Sequence, residues 1–204
     1  MPASYYRTHF HIGLPMALQF SITAMGVMTL QSAINIFGSS VMAAYTAASK
    51  VIQLVMQPLV TYGVSTATFV GQNLGAGLYH RIREGVRTIT CISIATSILS
   101  SSVLFLFGKY LVGFFLENPS PEVISYSTQV LNYAGIFFIP LGLIFVYRNA
   151  LQAMGQSFIP MMAGVFELVA RAVVAYTLPA FIGFTGICLA DPSAWIAAFT
   201  PVSY

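Results

Sequence analysis

The sequence predicts an all-α integral membrane fold, a six-helix transmembrane bundle forming a single lobe over residues 1–204. Three observations predict it. Hydrophobic residues make up 57% of the chain and charged residues only 6%, where a soluble domain carries about a quarter charged residues. The mean hydropathy is +0.82. Charge-free intervals recur along the chain, each long enough for the roughly 20 residues that cross about 30 Å of hydrocarbon. A soluble chain of this length could bury a core but would lack the charges to cover its surface. Most of the exterior therefore meets lipid, and the bilayer is the first expected partner.

The intervals without Asp, Glu, Lys or Arg run between Arg7 and Lys50, Lys50 and Arg81, Arg87 and Lys109, Glu122 and Arg148, and Arg171 and Asp191. Irregular backbone cannot face lipid, so segments this long and apolar must span as helices. The first helix, about 12–36, ends at Phe37-Gly38-Ser39-Ser40; the stretch from Met1 to Leu14 reads as its entry rather than as a signal peptide. The second, about 41–71, is long enough to tilt, with a bend expected at Pro58 and a glycine-rich turn over Gly71–Gly77. The third spans about 86–108. Glu117-Asn118-Pro119-Ser120-Pro121 separates it from the fourth, about 122–148. Gly155-Gln156-Ser157 and Gly183-Phe184-Thr185-Gly186 bracket the fifth, about 158–182. Asp191 is read as the N-cap of the sixth, about 190–204, with Pro192 at its first position. Pro192 to Tyr204 is 13 residues, roughly 20 Å of helix, so the last helix reads as truncated.

With six crossings, Arg7, Arg81, Arg83, Arg87 and Arg148 fall on one face and Lys109 on the other. The positive-inside rule then places the arginine face and the N-terminus in the cytoplasm. A formal charge of +3 with no larger basic cluster than Arg81, Arg83 and Arg87 excludes a nucleic-acid face. Cys91 and Cys188 read as small apolar residues, not as a disulfide. No GxxxxGK[ST] loop or HExxH pair is present. His9, His11 and His80 lie near helix ends, and no nucleophile–base pair or metal ligand set sits at depth. An enzyme is not expected, nor any catalytic residue, metal or cofactor.

Glu167 and Arg171 are the acid and arginine deepest in a span, and four residues apart they share a helix face. Charge in a membrane costs at least about 2.5–3.5 kcal/mol per residue on insertion scales, so such residues are functional by default. As a neutral pair they serve either as a structural lock or as part of coupling and gating. Lys50 either faces a cavity or snorkels to the outer interface. Gln31 with Asn35, and Gln53 with Gln57, form polar stripes that line a wet face or bind helices together. Asn132, Tyr133 and Asn149 are the remaining polar candidates for substrate contact or coupling, beside Gln129. Ala43, Ala47 and Ser93, Ser97, Ser101 repeat at four-residue intervals suited to close helix approach. Met16, Met25, Met28, Met42 and Met56 are either ordinary packing or an adaptable lining.

Five segments in order resemble the second half of the multidrug and toxin compound extrusion (MATE) family. They are Gly13-Leu14-Pro15-Met16-Ala17-Leu18-Gln19; Gln31-Ser32-Ala33-Ile34-Asn35 with Phe37-Gly38 and Ala43-Ala44-Tyr45; Thr68-Phe69-Val70-Gly71-Gln72-Asn73-Leu74-Gly75-Ala76-Gly77; Tyr147-Arg148-Asn149-Ala150-Leu151-Gln152-Ala153-Met154-Gly155; and Glu167-Leu168-Val169-Ala170-Arg171. The resemblance covers nearly the whole chain. It implies one lobe, helices seven to twelve, of a transporter with two six-helix bundles around an alternately opening cavity. It also implies efflux of cationic or amphipathic small organic compounds across the cell membrane on a proton or sodium gradient. The chain departs from one branch of the family, which carries a glutamate where Thr23 stands. The transported ion's site is then expected in the N-terminal six-helix half, the implied partner. The alternatives are a flippase for lipid-linked oligosaccharide precursors, which needs several cations facing a cavity, and a non-transporting half-length fragment.

Overall fold

A computed structural model describes the backbone of residues 3–116 and 120–203, with the side chains of these apart from residues 3–5, 7 and 8. Every element among the described residues is a helix. Three long helices come first: α1 (Ala3–Asn35), α2 (Ser39–Gly75) and α3 (Tyr79–Gly113). Two of 16 residues follow, α4 (Pro121–Ile136) and α5 (Phe138–Ala153). Then come α6 (Phe158–Thr177), the short α7 (Pro179–Ile182) and α8 (Phe184–Cys188), and α9 (Ala190–Val202). The six expected spans correspond to α1, α2, α3, α4 with α5, α6 with α7, and α9.

His9–Asn35, Tyr79–Gly113 and Phe158–Ile182 are long and apolar enough to cross a membrane, and the α4–α5 pair is a fourth when counted as one span. Helix α2 is as long, 37 residues, and carries Lys50, Gln53 and Gln57 within it.

Local chemistry places the breaks. Gly77 and Gly155 adopt φ of +71° and +81°, the left-handed region where only glycine is free of strain. The following amides donate back to Asn73 O at 2.9 Å and Leu151 O at 2.9 Å, closing α2 and α5. Ser120 accepts from the Val123 amide at 3.3 Å and Pro121 opens α4.

Several expectations change. The arginines at 81, 83 and 87 belong to α3, which begins seven residues earlier than expected, and Gly71–Gly75 belongs to α2; only 76–78 form the turn. The Glu117-Asn118-Pro119 part of the next break lies outside the described residues. The fourth span is not straight: α4 and α5 meet at 54° around Phe137, because Pro140 has no amide to donate into the preceding turn. Helix α2 runs unbroken through Pro58.

The helices pack as two groups. Helix α6 lies between α1 and α9, while α2 packs on α3, α4 and α5; α5 against α9 joins the groups. The shared core runs through Val51, Leu59, Leu104, Leu131, Phe138 and Trp195, with Phe138 meeting Trp195 edge-on at 6.4 Å. Lipid is as apolar as these side chains, so contact density rather than water exclusion holds such helices together. Small residues provide it. Ser93 and Ser97 are fully buried, and a Cβ on Gly142 would lie 2.7 and 2.6 Å from their respective hydroxyl oxygens. Large apolar side chains such as Phe10, Leu106 and Phe114 project outward.

Candidate functional site

Helix α6 touches both neighbours in its group, and its inward face carries the charge. Glu167 and Arg171 are 6% and 3% exposed. One turn apart, they meet: Arg171 Nη2 donates to Glu167 Oε1 at 3.0 Å. Two further charges complete the cluster. Arg148 of α5 donates through Nη2 to Glu167 Oε2 at 3.2 Å, and Arg171 Nε donates to Asp191 Oδ1 of α9 at 2.9 Å. Tyr45 of α2 closes the chain, its hydroxyl donating to Asp191 Oδ2 at 2.6 Å. Four helices are thereby tied through two arginines and two carboxylates.

All four carboxylate oxygens are engaged, whereas Arg148 Nε and Arg171 Nη1 are buried without a partner. Gly26 of α1 makes room for the Arg171 guanidinium, since a Cβ there would lie 2.5 Å from Nη1. Beside this cluster, Gln152 Nε2 donates to Gln19 Oε1 at 2.8 Å and ties α5 to α1.

The cluster forms one wall of a half-open cavity of about 610 Å³ between α1, α2, α5, α6 and α9. Arg148, Glu167 and Asp191 reach its surface, and Gln19, Thr23 and Gln31 line it from α1. Lys50 and Gln53 line it from α2, with Met56, while Trp195 and Phe145 add aromatic surface. Lys50 is exposed and also lines a second pocket with Phe115, its Nζ 5.9 Å from the centroid of that ring, and no ion pair engages it among the described residues.

The expected site residues divide. Glu167, Lys50, Gln31 and Gln53 share the cavity, and Arg171 stands behind it. Gln31 Nε2 also donates to Asn35 Oδ1 at 3.4 Å, but Asn35 itself and Gln57 are exposed away from the lining. Asn132 and Tyr133 line a separate groove with Lys109 and Gln129. Asn149 donates to Phe145 O at 2.8 Å and packs against Gly63, a helix contact away from the cavity. Of the methionines, Met25 and Met28 are exposed outward.

Two readings from sequence are corrected. Asp191 is not the cap of the last helix; α9 begins at Ala190 and its cap position, Leu189, makes no side-chain bond. The acid turns inward because Arg171 offers it a charged donor. Arg148, counted with the cytoplasmic-end arginines, also points into the bundle, toward Glu167. The signal that could have found both was their place at the edge of charge-free intervals, where an ionisable residue needs a partner. Among the described residues no three His, Cys, Asp or Glu side chains could hold a metal ion together.

Fold and site together define a multi-pass membrane protein whose apolar helical bundle keeps a charged, half-open cavity within it. The family follows from the sequence over most of that bundle: the family model described as MatE matches residues 15–177, and the chain belongs to that family. Relatives include the probable multidrug resistance protein YpnP of Bacillus subtilis, 24% identical over 71% of this chain and 32% of its own length. Another is the probable multidrug resistance protein NorM of Thermotoga maritima, 22% identical over 95% of this chain and 40% of its own. A crystal structure of a variant of the Vibrio cholerae MATE transporter VcmN has the same fold, with a TM-score of 0.87 at 19% identity. The match covers 95% of this chain and 44% of that one. The chain thus spans less than half the length of the relatives it matches.

Proposed function

We propose that this chain is one six-helix lobe, over residues 1–204, of a secondary multidrug efflux transporter. In this reading the lobe works with an N-terminal six-helix half and moves cationic or amphipathic organic compounds across the plasma membrane, its own N-terminus cytoplasmic. A proton or sodium gradient drives export, with the ion's site in the partner half, since Thr23 stands where an acid would serve and both carboxylates here are paired. No cofactor is needed. The observation that carries the reading is the half-open cavity. It has polar, aromatic and methionine surface, and a size in the range that accepts drug-sized ligands, roughly 300–1,000 Å³. A second lobe facing it would close it.

The flippase reading needs several free cations on the wall to hold a pyrophosphate. Both arginines are engaged with Glu167, which leaves Lys50, so export of organic compounds fits better. The test is efflux of ethidium and of fluorescent anionic dyes from cells expressing the intact gene product, with and without an uncoupler. Gradient-dependent efflux is expected. Dye retention equal to that of vector-only cells would refute the export reading and leave a non-transporting subunit.

A further inference from the structure

The polar chemistry of this cavity has a sign. Three cationic side chains stand at or directly behind its wall, Lys50, Arg148 and Arg171, against two carboxylates, Glu167 and Asp191. The excess is one positive charge. The hydrogen bonds point the same way. Glu167 accepts from Arg148 and Arg171 through separate oxygens, and Asp191 accepts from Arg171 and Tyr45 through separate oxygens. Each of these carboxylate oxygens already accepts from one donor, and the two acids are balanced by the two arginines. Donors, by contrast, are in surplus. Arg148 Nε is buried beside the cavity without a partner, and Lys50 Nζ meets only a ring at 5.9 Å. The remaining polar lining, Gln19, Thr23, Gln31 and Gln53, adds no acid.

We infer that Lys50, on the cavity wall, seats a single acidic group, a carboxylate, sulfonate or monophosphate, of an amphipathic compound. The aromatic surface of Trp195 and Phe145 takes the apolar remainder. A cation brought to this wall would meet the unneutralised Lys50 charge, while both carboxylates are already balanced by arginine. An acidic group gains a charged partner in Lys50, and charge-assisted hydrogen bonds are about twice as strong as neutral ones. The inference rests on the efflux reading for its setting and narrows the substrate class within it.

The test is a binding measurement on the purified intact transporter in detergent, with 8-anilinonaphthalene-1-sulfonate as the anionic probe and ethidium as the cationic one. The parent protein is expected to bind the sulfonate more tightly than ethidium. Lys50→Gln should weaken sulfonate binding by at least about fivefold, as expected for loss of a close, partly solvated unit charge, and leave ethidium unchanged or improved. Lys50 makes no ion pair among the described residues, so this variant keeps the Arg148–Glu167–Arg171–Asp191 cluster intact; Lys50→Arg should restore sulfonate binding. Unchanged sulfonate affinity in Lys50→Gln, or ethidium bound more tightly than the sulfonate by the parent, would overturn the inference. Binding and transport fail separately: an absence of gradient-driven efflux of any dye defeats the export reading, whereas a wrong charge preference defeats only the acidic-group seat.

Discussion

Replacing Glu167 by Gln isolates what the buried charges do for stability. The cluster of Arg148, Arg171, Glu167 and Asp191 is neutral as a whole, and Glu167 stands between the two arginines at 3.2 and 3.0 Å. Glutamine keeps an acceptor oxygen but no charge, so Arg148 loses its carboxylate and Arg171 keeps only Asp191. Removing one partner of a buried pair costs about 3–5 kcal/mol, because the other charge stays behind uncompensated. The retained acceptor argues for the lower end, about 3 kcal/mol. At roughly 2–4 °C per kcal/mol for a unit of 150–250 residues, the unfolding midpoint should fall by roughly 6–12 °C. The assay is thermal unfolding of the purified protein in detergent, followed by tryptophan fluorescence. The double variant Glu167→Gln/Arg148→Gln restores neutrality and leaves the Arg171–Asp191 pair at 2.9 Å. It should regain about half of the loss, a coupling within the range for directly contacting residues. A midpoint for Glu167→Gln within about 1 °C of the parent, with transport abolished, would refute the structural reasoning and move Glu167 to a direct role in coupling.

Tyr45→Phe removes the hydroxyl that donates to Asp191 at 2.6 Å; hydrogen bonds to charged groups are worth about 1.5–3 kcal/mol. The same unfolding assay should show a lower midpoint, and an unchanged one would mean that Arg171 alone holds Asp191. Gly26→Ala places a methyl carbon 2.5 Å from Arg171 Nη1. It should destabilise by about 1–3 kcal/mol, the usual range for overpacking, unless the guanidinium shifts. Gly13→Ala, where nothing lies within 4 Å, is the control that should not.

Membrane insertion is legible in residue order because it depends on length and hydropathy along the chain. Charge-free intervals flanked by Gly, Pro and Ser turns are enough to predict six spans, while the family is implied by the resemblance of five segments, Thr68–Gly77 among them, to its members. The Glu167–Arg171 pair is legible for the same reason: a four-residue spacing sets a shared face within one helix. The 54° break at Phe137 was within reach too, since Pro140 lies in the fourth span, but the run of apolar residues around it reads as one helix.

The rest depends on which helices meet. Tyr45, Arg148 and Asp191 lie on three different helices, and the Tyr45 hydroxyl bonds an acid 146 residues away. Nothing in local spacing tells an aspartate before a proline that it will face an arginine on α6 rather than cap its own helix. Composition and periodicity thus determined that this chain lives in lipid, the approximate run of its helices and which pair shares a face. Only the packing of α6 between α1 and α9, and of α5 against α9, decided which charges neutralise one another. It also decided which donors are left to line the cavity, because in a medium without water a charge is defined by the partner that tertiary structure brings to it.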